Sequence, residues 1–236
     1  MSLEWFIDEL ELGDKGRLWV PDVHISGEEK NRKAILLLES PHSNETQPKN
    51  PNGPQPAQGQ AGRYLKLIFG EETKTQGTNW HPIVDESGIE IWNSVQIPLQ
   101  LSPYKEKLPK RTWEAEEEKS LQALRARFGR HNSLEAYKEE PIKSATEKII
   151  SLLQGRLTNA LKKGQPITIV PLGNIACNLV TMATGPGQLK QVNILKCQCG
   201  RPYPHPSWGG YGTMAKEQLE CSYAHLRDRL RKITKD

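Results

Sequence analysis

The stretch "KAILLLES", residues 33–40, constrains this chain more than any other. An apolar run of strand length with no polar break is the pattern of a strand covered on both faces, not of one with a wet side. Such a strand needs a layer of structure above it and another below. Three more runs have a related character: "GIEIWNSVQIPL" at 88–99, "PITIVPLG" at 166–173 and "QVNILKCQC" at 191–199. The second alternates before turning apolar, and the third is β-branched and stops at a glycine.

Helical patterns fall between these runs. "AGRYLKLIFGEE" (61–72) spaces Leu65, Ile68 and Phe69 at i, i+3 and i+4. "SATEKIISLLQGRLTNALKKG" (144–164) offers Ser144 as N-cap with Glu147 three residues on, and stops at Gly164 behind two lysines. "GNIACNLVTMATG" follows the third strand directly, and the segment 214–236 closes the chain as an amphipathic helix with a basic end. Strands alternating with helices predict a three-layer α/β/α architecture around a central, mostly parallel four-stranded sheet.

Two segments stand outside that core. The Pro/Gly/Asn/Gln-rich stretch 42–60 reads as a long loop, and 101–143 as a charged, partly helical insertion. The insertion's charge density suits a solvated surface element better than a dedicated binding arm. The same holds for its basic residues Lys110, Arg111, Arg125, Arg127 and Arg130 as phosphate contacts. The expectation is one domain over 1–236 carrying these two decorations.

Bulk properties exclude some classes. The chain is 36% hydrophobic with a mean hydropathy of −0.66, but its apolar residues are concentrated enough to build a core. No apolar run approaches the roughly 18 residues that a membrane span needs. The opening "MSLEWFIDELELGDKG" is acidic, unlike a signal peptide. Cys177, Cys197, Cys199 and Cys221 fit no paired zinc-knuckle spacing. Reduced thiols and a cytoplasmic location follow, with no metal, no cofactor and no obligate protein partner expected. A net charge of +4 is mildly in favour of a phosphate-bearing partner.

In open parallel sheets ligands bind beyond the carboxyl ends of the strands. Those ends deliver Glu39, Ser40, Pro41 and His42, then Asn93, then Gly173 and Asn174, then His205 in the stiff loop "RPYPHPSWGG". Each alone has an ordinary structural reading, as a cap, a turn residue or a histidine in a rigid surface loop. Together they describe one polar rim.

In chain order "LESPH" (38–42), "GQAGRYLKLI" (59–68), "WNSVQ" (92–96), "VPLGNIA" (170–176) and "HPS" (205–207) resemble the uracil-DNA glycosylase superfamily, particularly the branch whose first motif reads GEAPG. The resemblance spans residues 33–230 apart from the insertion. It implies an enzyme that flips a base out of double-stranded DNA and hydrolyses its N-glycosidic bond. His205 would then donate to the pyrimidine O2, and Asn93 would read the Watson–Crick edge with both amide atoms. The first motif, Pro41 included, would line the pocket. Ser207, Trp208, Tyr211 and Asn174 would meet the DNA, with Trp208 or Tyr211 either wedging into the duplex or packing the loop.

Three departures from that pattern matter. Ser40 stands where several branches place a water-activating Asp or Asn, which leaves water positioning to Glu39, His42 or Glu45. No cysteine precedes Cys177, so the iron–sulfur cluster of the GEAPG branch cannot form in the family's way. Ala57 lies where the family stacks an aromatic ring on the base, removing about 1–3 kcal/mol of stacking and opening space. A roomier pocket points to a bulky modified pyrimidine, such as glucosylated hydroxymethylcytosine in phage DNA, removed as antiviral defence. The rivals are a repair glycosylase for uracil or another damaged base, with Tyr64 or Trp80 supplying the missing ring, and a non-catalytic DNA-binding protein on the same fold. A phosphate-cradling small-molecule enzyme lacks support, because no GxGxxG or GxxxxGK[ST] is present.

Overall fold

A computed structural model of the chain describes residues 3–16, 18–26, 31–41, 45, 53–58, 60–70, 79–100, 115–161, 166–185, 189–206 and 216–233. Among these, four strands, β1 (Ala34–Leu38), β2 (Ile89–Asn93), β3 (Ile167–Pro171) and β4 (Val192–Ile194), form one sheet in the order β2-β1-β3-β4. Every pairing is parallel, with Leu38 opposite Asn93 and Leu37 opposite Pro171. The helices are α1 (Glu4–Leu12), α2 (Gln60–Phe69), α3 (Trp80–Ser87), α4 (Ala115–Phe128), α5 (Ile142–Leu161), α6 (Asn174–Thr184) and α7 (Lys216–Ile233). The expected three-layer α/β/α class is what the chain adopts.

The layers follow from the two-residue period of a strand. Ile35 and Leu37 of β1, Trp92 of β2 and Ile167 and Ile169 of β3 pack with α1, α4, α5 and α6. Ala34, Leu36 and Leu38, with Ile89, Ile91 and Val170, pack with α2, α3 and α7. All five residues of β1 are buried, as the unbroken apolar run requires.

Three predicted boundaries move. The second strand ends at Asn93, not at 99: Ser94 and Val95 donate their N–H groups back to Leu38 and Glu39. The apolar run continues as buried irregular chain through Ile97 and Leu99. The fourth strand is only Val192–Ile194; Leu195 still donates its N–H to Ile169 O at 2.8 Å, and the chain then turns between Cys197 and Arg201, where Cys197 N–H reaches Arg201 O at 2.9 Å. The long helix starts at Ile142, so Ser144 lies inside it rather than capping it; Ser144 donates its hydroxyl and N–H to the Glu140 carboxylate at 2.7 and 3.3 Å. A carboxylate there also suits the positive end of the helix dipole. The expected stop at Gly164 lies outside the described residues.

The insertion holds α4, with Glu116, Glu117 and Glu118 in its first turn and Arg125 and Arg127 in its last, both favourable to the dipole. It is not merely solvated: Leu121, Leu124 and Phe128 belong to the core. Periodicity left α1 and α3 unassigned. α3 is set by its ends, with the Asn79 side chain accepting from His81 N at 3.3 Å and Gly88 closing it at φ 70°.

Candidate functional site

Strand order reverses across β1 and β3, so the loops leaving these neighbours diverge to open a crevice. A cleft of about 590 Å³ lies there, lined among others by Glu39 behind β1, Gly173 and Asn174 behind β3, Arg125 of α4, and His205. Sequence reasoning placed Glu39, Asn174 and His205 on one rim, and the structure brings these three together.

His205 is held from several sides. Tyr203 forms a parallel bridge with Leu172, and Gly173 donates its N–H to the Tyr203 carbonyl at 2.7 Å. From α7, Tyr223 donates its hydroxyl to the Pro204 carbonyl at 2.9 Å, and Arg229 donates to the Tyr203 hydroxyl at 3.1 Å. Gly173 has φ +95°, and a Cβ there would lie 3.1 Å from that of His205. The glycine both makes the turn and admits the imidazole, which is 7% exposed.

Glu39 accepts a charge-assisted hydrogen bond from Arg125 Nε at 2.5 Å, while its backbone carbonyl accepts from Ser94 Oγ and Val95 N. The carboxylate is 13% exposed and the arginine 35%. Arg125 therefore departs from the expectation of a solvated side chain, because α4 packs it across the end of β1. Arg127 instead pairs with Glu139 at 2.7 Å, and Arg130 is exposed. Asn174 is the exposed first residue of α6, which no side chain caps at Gly173.

Asn93 is placed differently. By alternation its side chain shares the face of Ile89 and Ile91, and it is not among the residues lining the cleft. It is 0% exposed, and neither its amide oxygen nor its amide nitrogen has a hydrogen-bond partner. Its backbone is fully engaged: Asp22 Oδ1 accepts its N–H at 3.2 Å, and Arg156 donates to its carbonyl at 2.8 Å.

Ala57 is buried on the face of the sheet that holds α2 and α3, at φ +57°, uncommon for a residue with a Cβ. Its carbonyl sits so close to the start of α2 that a Cβ on Gly62 would come within 1.8 Å of it. That close approach accounts for the glycine of "GQAG". Gln55 Oε1 accepts the N–H of Trp80 at 3.1 Å, which ties this loop to α3. Glu45, Gln55 and Gln58 are all buried, an unusual polar content for an interior. Trp80 and Tyr64 belong to the same apolar cluster as Ala57, with Trp80 packed at 5.9 Å on Phe69. Pro41 is buried and Ser40 half-buried. His42, Ser207, Trp208 and Tyr211, like Lys110 and Arg111, lie outside the described residues.

Sequence reasoning missed Asp22 and Arg156. Arg156 carried a signal, a charge beside the apolar stripe of Ile149, Leu153, Leu157 and Ala160 on α5. Asp22 carried none. It also missed Glu90, which is fully buried and hydrogen-bonded by Trp92 Nε1 at 3.0 Å, with Arg32 at 2.9 Å and His24 at 3.2 Å.

The fold and rim together define a doubly wound α/β protein with a polar site at its switch point. Compared with family models, with curated proteins and with solved structures, the chain has no significant match in any of the three. Among the described residues no helix is long and apolar enough to cross a membrane.

Proposed function

We propose that this chain is a monofunctional DNA glycosylase acting on a bulky modified pyrimidine, such as glucosylated hydroxymethylcytosine in phage DNA, in antiviral defence. The observation that carries the reading is the cleft at the switch point, where Glu39, held by Arg125, and His205 stand together. The Asn93 amide, wholly buried at the end of β2 with both polar atoms unpaired, adds to it. An unsatisfied buried amide costs on the order of 1–3 kcal/mol, and a flipped base edge that reached it with one donor and one acceptor would recover that cost.

In the reaction the C1′–N bond breaks and its electron pair leaves with the base. His205 donates a hydrogen bond to the pyrimidine O2, where negative charge grows. A water oxygen bonds to C1′ and gives its proton to the Glu39 carboxylate. Arg125 orients that carboxylate on the cleft side. The open space beside Glu39 and His205 favours a large base over plain uracil; Ala57, fully buried against α2, does not line it and adds no room there.

The test uses duplex DNA containing uracil, hydroxymethylcytosine or its glucosylated form, followed by alkali to break abasic sites. Breaks in the glucosylated substrate are expected, falling about 10²–10³-fold in His205→Ala and strongly in Asn93→Ala. Breaks at uracil alone would make this a repair glycosylase. Tight DNA binding without breaks would make it a non-catalytic reader.

A further inference from the structure

We propose that Asp22 and Arg156 form a backbone clamp that fixes the Asn93 amide and so sets base selectivity, an inference that rests on Asn93 being the base-reading residue. The clamp replaces a missing piece of sheet. On its outer edge β2 meets the segment around Val23, which forms an antiparallel bridge with Ile91: Val23 N–H to Ile91 O at 2.8 Å and Ile91 N–H to Val23 O at 3.1 Å. The same segment rejoins the chain where Val20 donates its N–H to Gln96 O at 2.9 Å, but between the two the outward N–H and C=O of Asn93 bond side chains and not backbone. Asp22 Oδ1 accepts the N–H at 3.2 Å, and Arg156 Nη1 donates to the carbonyl at 2.8 Å.

The two side chains are also locked to each other and to their surroundings. Arg156 Nη1 lies 3.0 Å from Asp22 Oδ1 and 2.8 Å from Oδ2, and Nη2 donates to the Ser94 carbonyl at 2.9 Å. The guanidinium stands 5.6 Å from the centre of the Trp92 ring. Asp22 is 2% exposed and Arg156 18%. Three distant parts of the chain thus converge on one residue: the segment before β1, the end of β2 and the middle of α5.

The geometry explains how an amide can stay buried and unpaired. Left to itself, a strand end relaxes until such a side chain finds a partner, because an unmade hydrogen bond in a dry interior is costly. With both backbone groups of Asn93 tied, and the next carbonyl as well, the Cα–Cβ bond keeps its direction. The amide then waits at a fixed place in the interior. A base whose edge lacks either the donor or the acceptor is rejected because it leaves one of these buried polar atoms unpaired. Asp22 and Arg156 are positioning residues, since they touch Asn93 and not the base.

Two measurements separate this inference from the function it rests on. In the free protein, the Asn93 side-chain NH₂ signals in ¹H–¹⁵N spectra, assigned by their loss in Asn93→Ala, are expected to be sharp. They should broaden or shift in Asp22→Asn and Arg156→Lys. Unchanged signals in both folded variants overturn the clamp whatever the enzyme does. In the excision assay, both variants are expected to lose about tenfold or more of the kcat/KM ratio between the preferred base and one whose edge lacks the donor or the acceptor. KM for the preferred base should rise more than kcat falls. Arg156→Lys should keep more selectivity than Arg156→Met, since an ammonium can still reach one carbonyl. Activity that falls only in step with the folded fraction, at unchanged base preference, also overturns the clamp. A wild-type protein inert on every DNA tested removes the glycosylase reading and, with it, the selectivity role, while the spectra still report whether the amide is held.

Discussion

An alanine at position 173 would bring its Cβ to 3.1 Å from that of His205, on a backbone at φ +95°. Positive φ costs a residue with a Cβ about 1–2 kcal/mol, and the contact pushes directly on the imidazole. Gly173→Ala should therefore lower the thermal midpoint and reduce excision more than the stability loss accounts for. A rate that tracks the folded fraction would show that His205 has no strict place to keep. The same change at Gly155 should act in the opposite direction. That glycine lies inside α5 with nothing within 4 Å of where a Cβ would stand, so Gly155→Ala should stabilise the protein by about 0.5–1 kcal/mol. Calorimetry on the two variants reads both signs.

At the scale of elements, α4 is where sequence and structure differ most instructively. Its charge density reads as a solvated face, yet one of its arginines reaches the end of β1 and holds Glu39. A single chain does not reveal which face of a charged helix turns inward, because that depends on what it packs against. Arg125→Ala should barely move the thermal midpoint, as a partly exposed ion pair contributes at most about 1 kcal/mol. It should slow excision about tenfold by letting Glu39 swing; an unaltered rate would remove Arg125 from the site. The four strands were legible because an apolar run bounded by polar residues has few other uses in a chain of alternating patterns. Their ends were less so: Ile97 and Leu99 continue the apolar pattern of β2 but are buried outside the ladder. Rim residues such as Glu39 and His205 followed from strand ends, which sequence marks well. The clamp on Asn93 did not, because Asp22 lies in no periodic segment and its role exists only after three segments meet.

Over the whole molecule, the buried Glu90 joins the segment before β1 to the sheet and makes stability depend on pH. Burial acts to raise the Glu90 pKa, but the hydrogen bonds from His24 and Arg32 outweigh it and hold the carboxyl below its ordinary value of 4.5. The hydrogen bond to Glu90 raises His24 above its ordinary 6.5, against partial burial. The His24 contribution is thus fully present below its unfolded pKa and is lost as pH rises through the raised folded value. The Glu90 contribution is present above the unfolded value and is lost as pH falls through the lowered one. The thermal midpoint should decline in the wild type as pH rises above the ordinary histidine value of 6.5 and through the raised one. His24→Ala should flatten that decline, and an equally steep curve in the variant would assign it elsewhere.

The central position of β1 also has a consequence for how the chain is made. Its five residues are synthesised early, while one neighbour spans residues 89–93 and the other 167–171. Until the second of these leaves the ribosome, "AILLL" has an open hydrogen-bonding edge and an uncovered face, the most aggregation-prone state an apolar strand can be in. The lysine before that run and the glutamate after it, Lys33 and Glu39, flank the exposed stretch with charge during that interval. The carboxylate that later faces the cleft thereby also serves as a gatekeeper for the nascent chain.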